Sequence, residues 1–183
     1  LLLLTPGRFV PVKGQPTLLE AMARLPAMLS GRRLRLAMLG DGPLAAELRW
    51  QARSIGIDDR IIWAGWQTET APWYALADLV VCPSREQEAL GNVVLEAWAH
   101  GRPLVTTLFR GAREIATHGE DAWCVPCADA PAIARGIETL LRDRDLAHGL
   151  AARGHGRVQA EFARDRIMAR YLDLYRRLTR AGA

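Results

Sequence analysis

Six short apolar runs, at residues 1–4, 34–39, 60–63, 79–82, 104–106 and 123–125, alternate along this chain with stretches of helical length. Strands separated by helices return in the same direction, so the pattern predicts a parallel sheet covered by helices on both faces. The expected fold class is therefore α/β, a Rossmann-like doubly wound parallel sheet. Helices are predicted over 17–29, from Pro43 onward, over 69–76, and from about Asn92 to a stop at Gly101 and Pro103. Three more follow at 131–141, 146–159 and 164–178. With 183 residues the chain is long enough for one well-buried domain and short for two. It shows neither an internal repeat nor a low-complexity linker.

Composition removes several classes. Half of the residues are hydrophobic, yet no run approaches the roughly 18 apolar residues of a membrane span. The opening leucines are too short for a signal-peptide core and lack a basic flank. Without an initiator Met, the chain reads as a piece cut at the start of a strand. A formal net charge of +4 suits anionic ligands or an anionic membrane surface. The arginines are dispersed through the predicted helices without interleaved aromatics, so nucleic acid is not an expected partner. Of 24 basic residues only Lys13 is a lysine, and the two cations are not equivalent at a compact anion site. Three cysteines are too few for a disulfide framework. Cys124-Val-Pro-Cys127 has redox spacing, but it ends a strand-like run and no second pair completes a zinc site. A reducing, cytoplasmic setting is expected.

The chemistry is densest between residues 79 and 106. Pro83 stops a strand, Gly91 and Asn92 open a helix, and a carboxylate stands on each side of that opening: Glu88 before it, Glu96 within it. Eight residues of helix advance roughly 12 Å and rotate about 80° off a common face. The two acids therefore do not suit one small ion; they suit the two ends of an elongated ligand lying across a helix N-terminus. The free backbone N–H groups of Asn92 and Val93 would face the middle of that ligand, where a diphosphate is favoured. Asn92 suits either capping the helix or contacting phosphate. The plain alternative for such a pair is a surface acid and a solvated helical Glu. A second loop, Gly7-Arg8-x-x-x-x-Lys13-Gly14, follows the first strand and so lies at the carboxyl edge of the sheet, where open α/β folds bind ligands. Two cations there can hold a diphosphate and stabilise it as a leaving group.

Pro83-Ser84, Glu88-x-x-Gly91-x-x-x-x-Glu96-Ala97 and Gly101-x-Pro103 together resemble the Glu-x7-Glu signature of retaining glycosyltransferases of the GT-B fold, family 4 (group 1). Ala89-Leu90-Gly91 stands where that family usually has Gly-Phe-Gly. The Gly7–Gly14 loop resembles the family's diphosphate-contacting motif. The resemblance implies that residues 1–183 are the C-terminal donor-binding domain, with an N-terminal acceptor domain outside this chain. It implies hexosyl transfer from a nucleotide-diphospho-sugar to a lipid-linked or cell-envelope acceptor, retaining configuration, without metal or other cofactor, in the cytoplasm or at the inner membrane face. By motif, Arg8, Lys13 and Glu88 form the catalytic set. Gly7, Arg8, Lys13, Glu88, Gly91, Asn92, Val93 and Glu96 form the donor-binding set. Arg8 and Lys13 would hold the diphosphate, Glu88 the sugar hydroxyls and Glu96 the ribose. The chain alone would bind donor without turnover. A non-catalytic nucleotide-sugar binding or regulatory module, or a sugar-nucleotide epimerase on the same fold, shares these motifs.

Weaker motifs complete the inventory. Gly40-Asp41-Gly42-x-x-Ala45 matches a dinucleotide fingerprint, but Asp58 and Asp59 precede the next strand instead of ending it, so no nicotinamide site is expected. Asp143-Arg144-Asp145 joins two helices, with Asp145 expected as a cap. Gly111 and Glu114 resemble a family segment near the donor sugar. Of six tryptophans most are expected in the core, and Trp66, in a turn after a strand, is expected to line a base pocket.

Overall fold

The computed structural model describes residues 1–181. β1 (Leu2–Pro6) and α1 (Gln15–Arg24) are followed by a small hairpin, β2 (Met28–Leu29) and β3 (Arg32–Arg33). Then come β4 (Arg35–Leu39), α2 (Ala45–Ser54), β5 (Ile61–Gly65), α3 (Ala71–Leu76), β6 (Leu79–Cys82) and α4 (Asn92–Ala99). The chain continues through β7 (Leu104–Thr107), α5 (Arg110–Ile115), β8 (Trp123–Val125), α6 (Ala130–Arg142), α7 (Arg144–Arg157) and α8 (Arg164–Ala181). All six expected strands form one sheet in the order β5-β4-β1-β6-β7-β8, and each pair of neighbours is parallel.

Alternation of side chains across the pleat divides the core in two. Leu3, Leu36, Met38, Leu79, Val81 and Val105 face one way, against Leu18, Leu19 and Met22 of α1 and Ile133, Ile137 and Leu140 of α6. Leu4, Ala37, Leu39, Val80 and Leu104 face the other, against Tyr74 of α3 and Val94, Ala97 and Trp98 of α4. Both faces are buried, so the strands are apolar at consecutive positions. The architecture is the doubly wound, Rossmann-like sheet.

Several elements differ from expectation. The first helix ends at Arg24, because Leu25 precedes Pro26 and takes an extended conformation (φ −87°, ψ 143°). The rest of that stretch turns into the β2–β3 hairpin. The six-residue helix α5 was not expected. Asp143, not Asp145, caps α7: its carboxylate accepts from the Leu146 amide at 2.9 Å. A π-helical turn, Val158–Phe162, separates α7 from α8. Trp98 is the one wholly buried tryptophan, whereas Trp50 and Trp66 are 67% and 72% exposed. Met168, Tyr171, Leu172, Leu174, Tyr175 and Leu178 leave α8 with an apolar face at least half exposed. Among the described residues no helix is long and apolar enough to cross a membrane.

Trp98 fixes the packing of α4 on α7. Its indole donates to the Asp121 carbonyl at 2.9 Å, and its ring fills the space in which a β-carbon on Gly154 would lie. Two residues on, Gly156 has no neighbour within 4 Å of such an atom. The two glycines of one helix should therefore respond oppositely to alanine. Gly154→Ala is expected to destabilise by about 1–3 kcal/mol through overpacking. Gly156→Ala is expected to be neutral or to stabilise by up to about 1 kcal/mol through helix propensity. Urea unfolding midpoints of the two variants would show it, and a shift of both in the same direction would contradict the packing described.

Candidate functional site

The strand order reverses between β1 and β6, whose following connections leave toward opposite sides of the sheet. At such a reversal the carboxyl ends of the two strands bound a crevice. Here the crevice is a cleft of about 580 Å³. The chain leaving β1 is held from β4 through backbone bonds. The Gly7 amide donates to the Leu39 carbonyl (2.8 Å) and the Phe9 amide to the Asp41 carbonyl (2.9 Å). Gly40 makes that approach possible, because a β-carbon there would overlap the Gly7 carbonyl. The Gly-x-Gly of this turn thus serves loop packing. Asp58 accepts from the Trp63 indole at 2.9 Å, at the amino end of β5, away from the cleft. After Arg8, whose carbonyl accepts from Gln15 Nε2 (3.0 Å), a 3₁₀ turn at Pro11–Lys13 leads into α1.

The loop after β6 is gripped from three sides. The Arg85 amide donates to the Val12 carbonyl (2.8 Å), joining it to the β1 loop, and the Thr107 hydroxyl donates to the Ser84 carbonyl. From α5, the Arg110 and Gly111 amides donate to the Glu86 and Glu88 carbonyls at 3.3 and 3.4 Å. Gly91, at φ +67°, sits in the N-cap position of α4, and a β-carbon there would overlap the Phe109 ring. No side chain among the described residues caps α4, and Asn92 is its first helical residue instead of its cap. The free amides at this end, and the positive end of the helix dipole, therefore remain directed at the cleft.

All eight residues expected at a donor site line this cleft: Gly7, Arg8, Lys13, Glu88, Gly91, Asn92, Val93 and Glu96. Their pairing is less simple than motifs suggest. Lys13 Nζ lies 2.7 Å from Glu88 Oε2, with both side chains mostly buried. The Ser84 hydroxyl donates to the same carboxylate oxygen at 3.4 Å. Arg8 has no ion-pair partner among the described residues. Glu96 accepts from the Tyr74 hydroxyl at 2.6 Å. Trp66 also lines the cleft. Glu114 does not: it lies exposed on α5, and Gly111 is buried there, holding the Glu88 carbonyl.

Sequence reasoning passed over Gln67, Thr70 and Tyr74. Gln67 and Thr70 line the cleft beside Trp66; they follow β5, whose carboxyl end shares the sheet edge, and that position was the available signal. Cys82, Cys124 and Cys127 are free. Burial pushes all three thiols up, Cys124 to about 12, so none is a ready nucleophile.

The sequence matches the family model for glycosyl transferases group 1 over residues 1–143. It is 41% identical over 168 residues to the lipopolysaccharide core biosynthesis glycosyltransferase LpsE of Rhizobium meliloti, covering 92% of this chain and 47% of that protein. The chain thus spans about half the length of the relatives it matches. Among solved structures, Anabaena Alr3699/HepE in complex with UDP-glucose is 25% identical, with a TM-score of 0.80 over 88% of this chain and 44% of that one. The C-terminal domain of the group 1 glycosyl transferase LpcC from Francisella tularensis is also 25% identical, with a TM-score of 0.77 over 88% of this chain and 85% of that one. The matched segment contains every residue that lines the cleft; on fold, site and relatives together, this chain belongs to the group 1 glycosyl transferases, enzymes of the GT-B fold.

Proposed function

We propose that this chain is the donor-binding half of a retaining hexosyltransferase that takes its sugar from a nucleotide diphosphate and needs no metal ion or other cofactor. The observation that carries the reading is what one cleft brings together: two cations of the β1 loop, an uncapped helix N-terminus and the acids Glu88 and Glu96 all line it. Arg8, Lys13 and the amides of Asn92 and Val93 hold the diphosphate, Glu96 the ribose and Glu88 the sugar hydroxyls. The Anabaena relative's complex with UDP-glucose supports a donor of this class. LpsE, named for lipopolysaccharide core synthesis, supports a cell-envelope acceptor, and on this reading the transfer takes place on the cytoplasmic side. The acceptor site lies on a domain beyond this chain.

In the transfer, the bond from the anomeric carbon to the diphosphate breaks and its electron pair leaves with the phosphate. The two cations and the α4 amides stabilise that charge, an effect of the oxyanion-hole kind. The acceptor oxygen bonds to the face the phosphate vacates, and its proton passes to the departing diphosphate. Donor binding also exchanges partners. Lys13 passes from Glu88 to phosphate, and Glu88 passes from Lys13 to the sugar. Only a ligand carrying both groups compensates both.

Calorimetric titration of the chain with UDP-glucose, UDP and uridine tests this. The Arg8→Ala/Lys13→Ala double variant should bind UDP at least about tenfold more weakly and uridine unchanged, at roughly 1.5–3 kcal/mol per charge-assisted bond. Equal losses for both ligands would remove the cations from the phosphate. Excess EDTA should leave UDP-glucose binding intact; a loss restored by magnesium or manganese would overturn the metal-free reading. Glu88→Gln should tighten UDP by up to about tenfold, because Lys13 is released from its pair, while the preference for UDP-glucose over UDP shrinks. A variant that binds UDP more weakly would show that Glu88 does not hold Lys13 back.

A further inference from the structure

The two cleft acids are held by different means. Glu88 is paired with a cation, whereas the only side-chain partner of Glu96 among the described residues is the neutral hydroxyl of Tyr74. Tyr74 belongs to α3, is wholly buried, and crosses 22 residues of sequence to reach that carboxylate at 2.6 Å. Its ring lies parallel to the His100 imidazole at the far end of α4, with centroids 4.6 Å apart and planes 9° apart. The hydroxyl is therefore fixed by packing on both helices. Its neighbour on α3 acts in the same way: Trp73 Nε1 donates to Gln67 Oε1 at 3.3 Å, and Gln67 also lines the cleft. The short helix α3 thus presents two consecutive donors, each to a polar side chain of the cleft wall. Burial, and then the bond to Glu96, push the Tyr74 hydroxyl up, so it remains a donor at any working pH.

We propose that Tyr74 is a positioning residue, whose hydroxyl holds Glu96 Oε2 so that the carboxylate presents its remaining acceptor sites to a vicinal diol of the ligand. The proposal rests on the reading that Glu96 meets the ribose. A carboxylate has about four lone-pair sites on two oxygens. Tyr74 occupies one of them and removes the rotation that a free helical Glu would lose on binding. Because the partner is neutral, it sets no counter-charge against the Glu96 carboxylate, and a ligand hydroxyl donating to that carboxylate makes a charge-assisted bond. A cationic partner, of the kind Glu88 has, would weaken that acceptor.

The test is the ratio of affinities for UDP and 2′,3′-dideoxy-UDP, measured by titration of the wild-type chain, Tyr74→Phe and Glu96→Gln. The wild type should prefer UDP by about tenfold or more. Tyr74→Phe should lower that preference about three- to tenfold by weakening UDP, leaving dideoxy-UDP unchanged. Glu96→Gln should abolish most of it. If wild type and Glu96→Gln discriminate equally, Glu96 does not meet the ribose, and both the reading and the proposal fall. If Glu96→Gln loses the preference but Tyr74→Phe keeps it, or weakens both ligands alike, only the role of Tyr74 falls. A second measurement needs no variant. The chain has three tyrosines, and Tyr171 and Tyr175 lie on α8, outside the cleft. In 3-fluorotyrosine-labelled chain, one fluorine resonance should move with UDP and stay with dideoxy-UDP. Equal shifts with both ligands would overturn the proposal.

Discussion

The hydrogen bond from the Arg85 amide to the Val12 carbonyl joins the two loops that make the cleft, and the rest of the site depends on that junction. Adjacent parallel strands emerge about 4.8 Å apart, and at a winding reversal their loops diverge at once. Here they are tied together beyond the strand ends before separating to frame the ligand space. The other restraints are also mostly backbone bonds: Gly7 to Leu39, Phe9 to Asp41, Gly111 to Glu88. Bonds of this kind are indifferent to side-chain identity. That is why Ala89-Leu90 occupies the place of the family's usual Gly-Phe while Gly91 stays glycine: only Gly91 has a left-handed backbone and Phe109 against it.

Much of this was legible from residue order. Buried strands are short apolar runs, and their alternation with helices dictates parallel pairing. The Gly7–Gly14 loop and the Glu88–Glu96 segment follow strands directly, so their place at the carboxyl edge needed no tertiary knowledge. Tertiary contacts were a different matter. The Lys13–Glu88 pair spans 75 positions, and local pattern assigned its members to opposite jobs without showing that they touch. Tyr74 lies within a short predicted helix, and nothing in the local pattern points from it across 22 residues to Glu96. The β2–β3 hairpin and α5 are too short for periodicity to declare. Pro26 was the available sign that the first helix stops early.

Electrostatics in the cleft is subtler than a basic patch. Its four charged side chains, Arg8, Lys13, Glu88 and Glu96, sum to zero. Attraction for an anion must come from placement: Arg8 stands free of ion pairs, Lys13 is restrained by Glu88, and the α4 amides add partial positive charge where the two loops part. A site that is neutral overall yet holds unlike charges side by side suits the proposed ligand, which carries both phosphate and hydroxyls.

The lone lysine carries a practical corollary. The other 23 of the 24 Lys and Arg residues are arginines, so Lys13 and the α-amino group are the only primary amines in the whole chain. An amine-directed acylating reagent therefore has one side-chain target, and that target stands inside the cleft, 2.7 Å from Glu88. Whatever covers Lys13 withdraws it from the reagent. Occupancy of the cleft can thus be read by mass, as the one side-chain acyl group added or withheld beside that carried by the α-amino group.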